Sequence, residues 1–257
     1  MKTRWQPELI ETALVELSRS LGDPAKDLVI LAEGNTSQRL DDQSIAVKAS
    51  GSFLANATAE DFVVADIDSV MAVVDDPAAT QSQLSELLDA GEHDGVRRRG
   101  SIEALVHAAV HAIAPATYVA HTHPTPVVSL LASVHAATAF DEWVYSDEAV
   151  VIGKPLFVPY AEPGIALGRL FAERLRHAVE QNGEAPSLIL LGNHGIVARA
   201  NTPQAVEAIT LMAVKGARIR LDALAAGGVA GLGSETVDHY FERADMVERR
   251  RTLAGLS

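Results

Sequence analysis

Thr117-Tyr118-Val119-Ala120-His121-Thr122-His123-Pro124 is the stretch from which the rest of the chain is best read. Residues 117–120 make a short strand, and that strand runs into two histidines two positions apart. In extended backbone, residues i and i+2 face the same side, so both imidazoles can reach one ion, and Pro124 stiffens the exit. Upstream, Ser101 stands where an N-cap belongs, and Ala104, Leu105, Ala108 and Ile113 form an apolar helical stripe that ends at Pro115. Downstream, residues 126–134 read as the next helix. Helix, strand and helix in succession place the chain in the α/β class.

Working outward, Leu9, Leu14, Leu17 and Leu21 recur at helical spacing, which predicts an opening helix over 7–21 stopped by Gly22-Asp23-Pro24. Segments 28–32, 36–40, 44–49 and 62–67 are short, rich in Val and Ile and separated by turn residues, which suits a mostly antiparallel sheet. A helix is expected over 81–90, and the Gly91–Gly95 stretch with the arginines after it reads as an exposed loop. Residues 150–158 are strand-like and 165–181 helical. Two β segments, 187–191 and 195–198, flank Gly192-Asn193-His194, and helices over 203–224 and 235–253 close the chain across a Gly-rich linker, 227–233. Val237, Tyr240, Phe241 and Met246 share one side of the last helix, with Arg249–Arg251 near its end. The expected organisation is one domain over residues 1–225, with a helical tail over 226–257 packed on that domain or on a neighbouring subunit.

The bulk composition narrows the functional classes. With 257 residues, 48% hydrophobic and 21% charged, the chain can build a sizeable core and shows no sign of disorder. A net charge of −13 would repel a phosphate backbone, and the basic clusters are confined to Arg97–Arg99 and Arg249–Arg251, so nucleic acid is not the expected partner. An anionic small molecule remains compatible, because oriented backbone N–H groups and a bound cation set the local potential. There is no cysteine, so disulfides, thiolate ligands and a thiol nucleophile are excluded. The first eleven residues lack a signal-peptide pattern, and no apolar run approaches the roughly 20 residues that span a bilayer, so a cytoplasmic location away from membranes is expected.

His121, His123 and His194 stand out among nine histidines because each ends a β segment beside residues that turn the chain. Three imidazoles without a thiolate suit Zn2+, Co2+, Mn2+ or Fe2+ better than Mg2+ or Ca2+, which prefer oxygen. His107 and His111 lie four apart on the predicted helix, with His111 read as a partner or surface residue. His93, His135, His177 and His239 read as loop or helix-surface residues.

Gly34-Asn35-Thr36-Ser37, Ala49-Ser50-Gly51, Ser101-Ile102-Glu103 with His107, His121-Thr122-His123-Pro124 and Asn193-His194-Gly195, in that order, resemble the class II aldolase/adducin family over about residues 10–220. That family includes fuculose- and rhamnulose-phosphate aldolases. The resemblance implies a three-layer α/β/α fold with a central, mainly antiparallel sheet and a four-fold homotetramer. It implies a divalent metal, zinc first, on His121, His123 and His194, with Glu103 as a fourth ligand or as the acid/base group. It implies substrate or phosphate binding by Gly34, Asn35, Thr36, Ser37, Ser50, Gly51 and Ser101, and a proton-donating tyrosine, for which Tyr145 is in the right region with Tyr160 and Tyr240 behind it. Ile102 departs from the Ser-Ser-Glu usual in the sugar-phosphate aldolases and removes one hydroxyl from the phosphate pocket. The expected reaction is aldol cleavage of a ketose phosphate or related hydroxy-keto compound through an enediolate. A decarboxylase, epimerase or dehydratase on the same scaffold is the alternative, with an adducin-like binding module last.

Overall fold

The computed structural model describes residues 2–253. Helix α1 (Thr12–Leu21) leads into strands β1 (Asn35–Arg39), β2 (Ser44–Lys48) and β3 (Phe62–Asp66), then helices α2 (Ile67–Asp75) and α3 (Gln81–Leu87) and a hairpin, β4 (Asp89–His93) and β5 (Val96–Arg99). Next come α4 (Ala104–Ile113), β6 (Tyr118–Thr122), α5 (Thr125–Leu131), α6 (Ser146–Ile152), β7 (Leu156–Val158), α7 (Ile165–Asn182), β8 (Leu188–Leu191) and β9 (Gly195–Ala200). Helices α8 (Pro203–Ala225), α9 (Ser234–Glu242) and α10 (Ala244–Leu253) complete the described chain. Seven strands form one sheet in the order β3-β2-β1-β6-β9-β8-β7. Every neighbouring pair is antiparallel except β7 with β8.

Alternation along the strands gives this sheet two cores. Ile45, Val47, Val63, Val119, Ile189 and Val197 face one side, where Val70 of α2, Leu105 of α4 and Phe171 of α7 cover them. Ala46, Phe62, Ala120, Leu188 and Ile196 face the other, beneath Leu14 of α1, Val127 of α5 and Val206 of α8. Each fully buried large side chain contributes about 1.5–3 kcal/mol. The result is the expected three-layer α/β/α arrangement. Among the described residues no helix is long and apolar enough to cross a membrane.

Several local expectations fail for identifiable reasons. Residues 28–32 are a loop: the backbone is left-handed at Asp27 and Leu31 (φ 54° at both), and Ile30 and Leu31 are 64% and 75% exposed. The stretch after α3 is a hairpin, because Asp94 and Gly95 (φ 52° and 75°) make the two-residue left-handed turn that joins antiparallel strands. Its His93 is half-buried, with its ring 4.6 Å from that of Trp5. Residues 150–152 are helical despite their β-branched character, since Val150 and Ile152 gain burial in α6, and only Leu156–Val158 extends into the sheet. Helix α2 lacks a sequence expectation, although Asp66 caps it by accepting from Ser69 N at 2.8 Å. The closing helix divides at Arg243, whose ψ of 132° is extended. Helices α9 and α10 lie against α6 of the same chain, with Val237 and Met246 buried and Arg249 2.9 Å from Asp147.

One buried ion pair ties α6 to α8. Glu148 and Arg220 are each 1% exposed and pair directly, and Arg220 also donates to Ala139 O and Glu142 O at 2.6 Å. Removing one partner strands the other charge. Arg220→Ala therefore lowers unfolding free energy by roughly 3–5 kcal/mol, read in urea or thermal denaturation, and Arg220→Lys, which lacks the planar fork, recovers little of it.

Candidate metal centre

Strand pairing brings the site together. Asn35 at the start of β1 is opposite His121 near the end of β6, and Gly195 opens β9 just beyond Ile196, the partner of Thr122. His123 stays in line after β6 because its N–H donates to Leu28 O at 2.8 Å. His194 sits in the β8–β9 turn, where Asn193 is left-handed (φ 53°) and anchored to Leu131 O at 3.0 Å. A side chain at Gly195 would lie 2.4 Å from Thr122 O and 2.6 Å from His123 Cδ2, so only glycine lets the turn approach the two histidines. Glu103 enters from the overlying helix layer, at the N-cap of α4. The helix begins at Ala104, later than Ser101 predicted, and Ser101 Oγ accepts from Glu103 N at 3.3 Å.

Glu103, His121, His123 and His194 each present one ligand atom, and these atoms all lie within 4.8 Å of one another. Glu103 Oε1 is 2.9 Å from His194 Nε2 and 3.3 Å from His121 Nε2, and the Nε2 atoms of His121 and His123 are 2.8 Å apart. Outside the cluster, His121 Nδ1 donates to Ile196 O at 2.9 Å and His123 Nδ1 to Glu33 Oε2 at 2.9 Å. With both Nδ1 atoms protonated, two Nε2 lone pairs face each other, a repulsive arrangement unless a proton or cation lies between them. The buried His194 Nδ1 has no hydrogen-bond partner among the described residues. Inward nitrogens, a carboxylate oxygen and a carboxylate behind His123 fit a divalent transition metal.

Charge follows the same logic. Burial opposes ionisation of Glu103, but His121 and His194 beside it hold its carboxyl well below the usual carboxylate range. Burial also pulls His121 down, and the Glu103 carboxylate outweighs it and raises the imidazole pKa. His123 is pushed down to about 4 by burial and by His121.

Asn35 is inside this site, donating from Nδ2 to Glu103 Oε2 at 2.7 Å and to Ser101 Oγ at 3.3 Å. Gly34 (φ 70°) passes close to His121 O, where a Cβ would lie at 3.1 Å. Ser50 and Gly51 form an exposed turn tied to the hairpin through Ser50 N to Arg99 O at 2.8 Å. The hydroxyls of Thr36 and Ser37 turn inward instead. Thr36 faces the α1 layer and meets Ser18 Oγ at 2.6 Å, while Ser37 meets His107 Nδ1 at 2.6 Å and His111 Nε2 at 2.9 Å. Alternation along β1 explains the split, and His111 is a buried partner rather than a surface residue. Tyr145 lies at the N-cap of α6 with its hydroxyl on Met212 Sδ, and burial with Glu148 and Asp147 pushes its phenol up to about 12. Tyr160 is exposed, and Tyr240 lies in α9.

A family model for the class II aldolase and adducin N-terminal domain matches residues 12–221. The chain belongs to that family. The Bacillus subtilis (strain 168) protein described as uncharacterized oxidoreductase YuxG is 27% identical over 179 residues, which are 66% of this chain but 24% of YuxG. The chain thus aligns with about a quarter of the length of that relative. Among class II aldolase structures, YgbL from Klebsiella pneumoniae, for which aldolase, epimerase and decarboxylase activities are all proposed, superposes with a TM-score of 0.65 at 18% identity, covering 91% of this chain and 98% of YgbL. An L-fuculose 1-phosphate aldolase gives 0.62 at 20% identity, covering 93% of this chain and 97% of its own. At such identities the likeness is one of fold.

Two contributors to this class II aldolase site escape a sequence reading. Glu33 lies one residue beyond the 28–32 segment that composition assigned to strand, in the same loop before β1. Lys48 ends β2 at 1% exposure, donating to Ser52 O, Ala32 O and Ala49 O at 2.5, 3.2 and 3.4 Å. It clamps the Gly34 loop to the Ser50 turn, and burial pulls its ammonium down to about 8 against Asp61 and Glu103. An alternating strand pattern with a terminal Lys is too common to signal this. A cavity of about 970 Å³ lies at the far end of β9 around Arg174, His177 and Arg199, away from Glu103, His121, His123 and His194.

Gly195→Ala is expected to abolish stoichiometric metal binding while the far-UV circular dichroism stays native, because the added carbon displaces His123. Acid weakens the metal-free fold through His107 and His111, both buried neutral. Burial takes His111 from 6.5 to about 3, so the unfolded chain gains protons that the folded one does not, and stability falls as pH drops from 6.5 toward 3. Urea midpoints across this range should fall, and less steeply in His111→Phe.

Proposed function

We propose that this chain is a divalent-metal-dependent carbon–carbon lyase that cleaves a ketose phosphate or related hydroxy-keto compound by reversible aldol chemistry. The observation that carries this reading is the convergence of His121, His123, His194 and Glu103 within 4.8 Å. The donor set suits Zn2+ first, with Mn2+, Co2+ or Fe2+ as alternatives. Such an ion, when bound, supplies Lewis acidity at the substrate's carbonyl and hydroxyl oxygens and favours an enediolate.

The protein's own groups do the rest. Ile196 O and Glu33 fix the His121 and His123 rings so that both Nε2 atoms point inward. Asn35 occupies Glu103 Oε2, leaving Oε1 as the atom at which a proton is held or moved. The Gly34 backbone, the Ser50-Gly51 turn and Ser101, with the Lys48 ammonium behind them, favour an anionic substrate. Thr36 and Ser37 act through the fold. Tyr145 enters as a protonated phenol offered to a neighbouring copy in a homotetramer, its present Met212 acceptor being weak enough to exchange.

A second reading, decarboxylation of a keto or hydroxy acid on the same centre, is favoured by one observation. Ile102, 39% exposed between Ser101 and Glu103, puts an apolar surface where a phosphate pocket would gain a hydroxyl. Loss of CO₂ leaves the same kind of enediolate. Assaying aldehyde against CO₂ release from sugar phosphates and keto acids separates the two.

Elemental analysis of the purified protein should give about one divalent transition ion per chain, lost in His123→Ala. Glu103→Gln should lower kcat by roughly 100-fold or more in whichever assay is active. A wild-type protein that takes up no such ion even after reconstitution would sink the catalytic reading.

A further inference from the structure

Beneath Glu103 runs a line of buried polar side chains that the chemistry above leaves unused. Asn35 Nδ2 meets Glu103 Oε2 at 2.7 Å, Asn35 Oδ1 meets His107 Nε2 at 2.5 Å, and His107 Nδ1 meets Ser37 Oγ at 2.6 Å. Ser37 Oγ then meets His111 Nε2 at 2.9 Å, and His111 Nδ1 lies 3.0 Å from Ala116 O. Asn35 is 2% exposed, and Ser37, His107 and His111 are wholly buried. The line crosses from β1 to α4, where the four-residue spacing of His107 and His111 sets both rings on the face toward the strand.

Bond directions can be assigned from the Glu103 end. An ionised carboxylate only accepts, so Asn35 turns its NH₂ toward Glu103 and its amide oxygen toward His107. His107 must then carry its proton on Nε2, which leaves Nδ1 as an acceptor. The Ser37 hydroxyl donates its one proton to that nitrogen, the nearer of its two partners; His111 spends its N–H at Nδ1 on Ala116 O, so a neutral His111 only packs its Nε2 against Ser37. Turning the Asn35 amide over would set its oxygen against the Glu103 carboxylate, two acceptors face to face in a buried site. An apolar filling would pack this volume as well, so a satisfied polar line signals orientation rather than stability.

Building on the metal reading above, we propose that His107 is a positioning residue for Glu103. It locks the Asn35 amide, and through it holds the carboxylate with Oε2 engaged and Oε1 turned toward His121 and His194. Ser37 fixes the ring in turn. His107 touches neither metal nor substrate.

Long-range ¹H–¹⁵N correlation of the metal-free wild type tests the line without any ion, and the expected result is an Nε2–H tautomer at His107. Co2+ titration followed by visible absorption then compares wild type with His107→Leu, His107→Gln and Ser37→Ala. Glutamine can place an N–H near Nε2 and should keep near-native affinity and spectrum. Leucine should weaken Co2+ binding by roughly 10–100-fold and shift the ligand-field bands, with Ser37→Ala between them. An Nδ1–H tautomer, or a folded His107→Leu that binds Co2+ as wild type does with the same spectrum, overturns the proposal. If His107→Leu does not fold, the glutamine and Ser37→Ala variants decide: weakening by alanine alone supports the line, and native behaviour in both overturns it. A wild type that fails to bind Co2+ sinks the metal reading instead, and the tautomer still tests the line.

Discussion

The antiparallel pairing of β6 with β1 on one side and β9 on the other is the constraint on which the rest of the molecule depends. It sets Asn35 opposite His121, brings Gly195 beside His123, and leaves Glu103 of the overlying helix within reach of the same point. Because the side-chain period of a strand is two, a slip of one residue in β6 would turn His121 into the opposite core and bring Ala120 to the site. The two cores are what forbid that slip. Val119 and Ala120 are each buried against a different layer of helices, so the packing that stabilises the sheet also fixes the register of the histidines.

A protein with a net charge of −13 has little difficulty attracting a cation; the harder task is to keep two inward-facing imidazoles and a carboxylate from collapsing onto one another. Fixed hydrogen bonds behind each ligand do this. Ile196 O holds His121, Glu33 holds His123 and Asn35 holds Glu103. His194 differs in that its buried Nδ1 has no partner among the described residues, so backbone geometry at Asn193 and Gly195 carries its orientation. The site is therefore built as much from turns and carbonyls as from the ligand side chains.

Much of this was readable from residue order, and the reasons for the remainder are local. The His-x-His strand end, the Asn-His-Gly turn and the helix after Ser101 announce themselves because spacing and turn chemistry act over a few residues. The partners of those residues do not. Glu33 reaches His123 across 90 positions and lies in a loop whose Val and Ile content resembles a strand, and the Asp94-Gly95 hairpin hides because its strands are charged and half exposed. The motif Gly34-Asn35-Thr36-Ser37 is continuous in sequence but divides in space. Alternation sends Thr36 to one layer while Asn35 and Ser37 go to the other, which only the sheet can reveal.

The Glu148–Arg220 pair has a consequence for how the sequence can vary. A Cβ at Gly216 would lie 2.2 Å from Glu148 Oε1 and 3.0 Å from Arg220 Nη1, so the carboxylate and guanidinium occupy the space a larger residue would need. The three positions form one steric and electrostatic unit. A relative with alanine at the place of Gly216 should also have shortened or neutralised the acid and replaced the arginine, since each single step passes through a chain with either a clash or an unpaired buried charge. Drift at this joint between α6 and α8 is expected to come in sets.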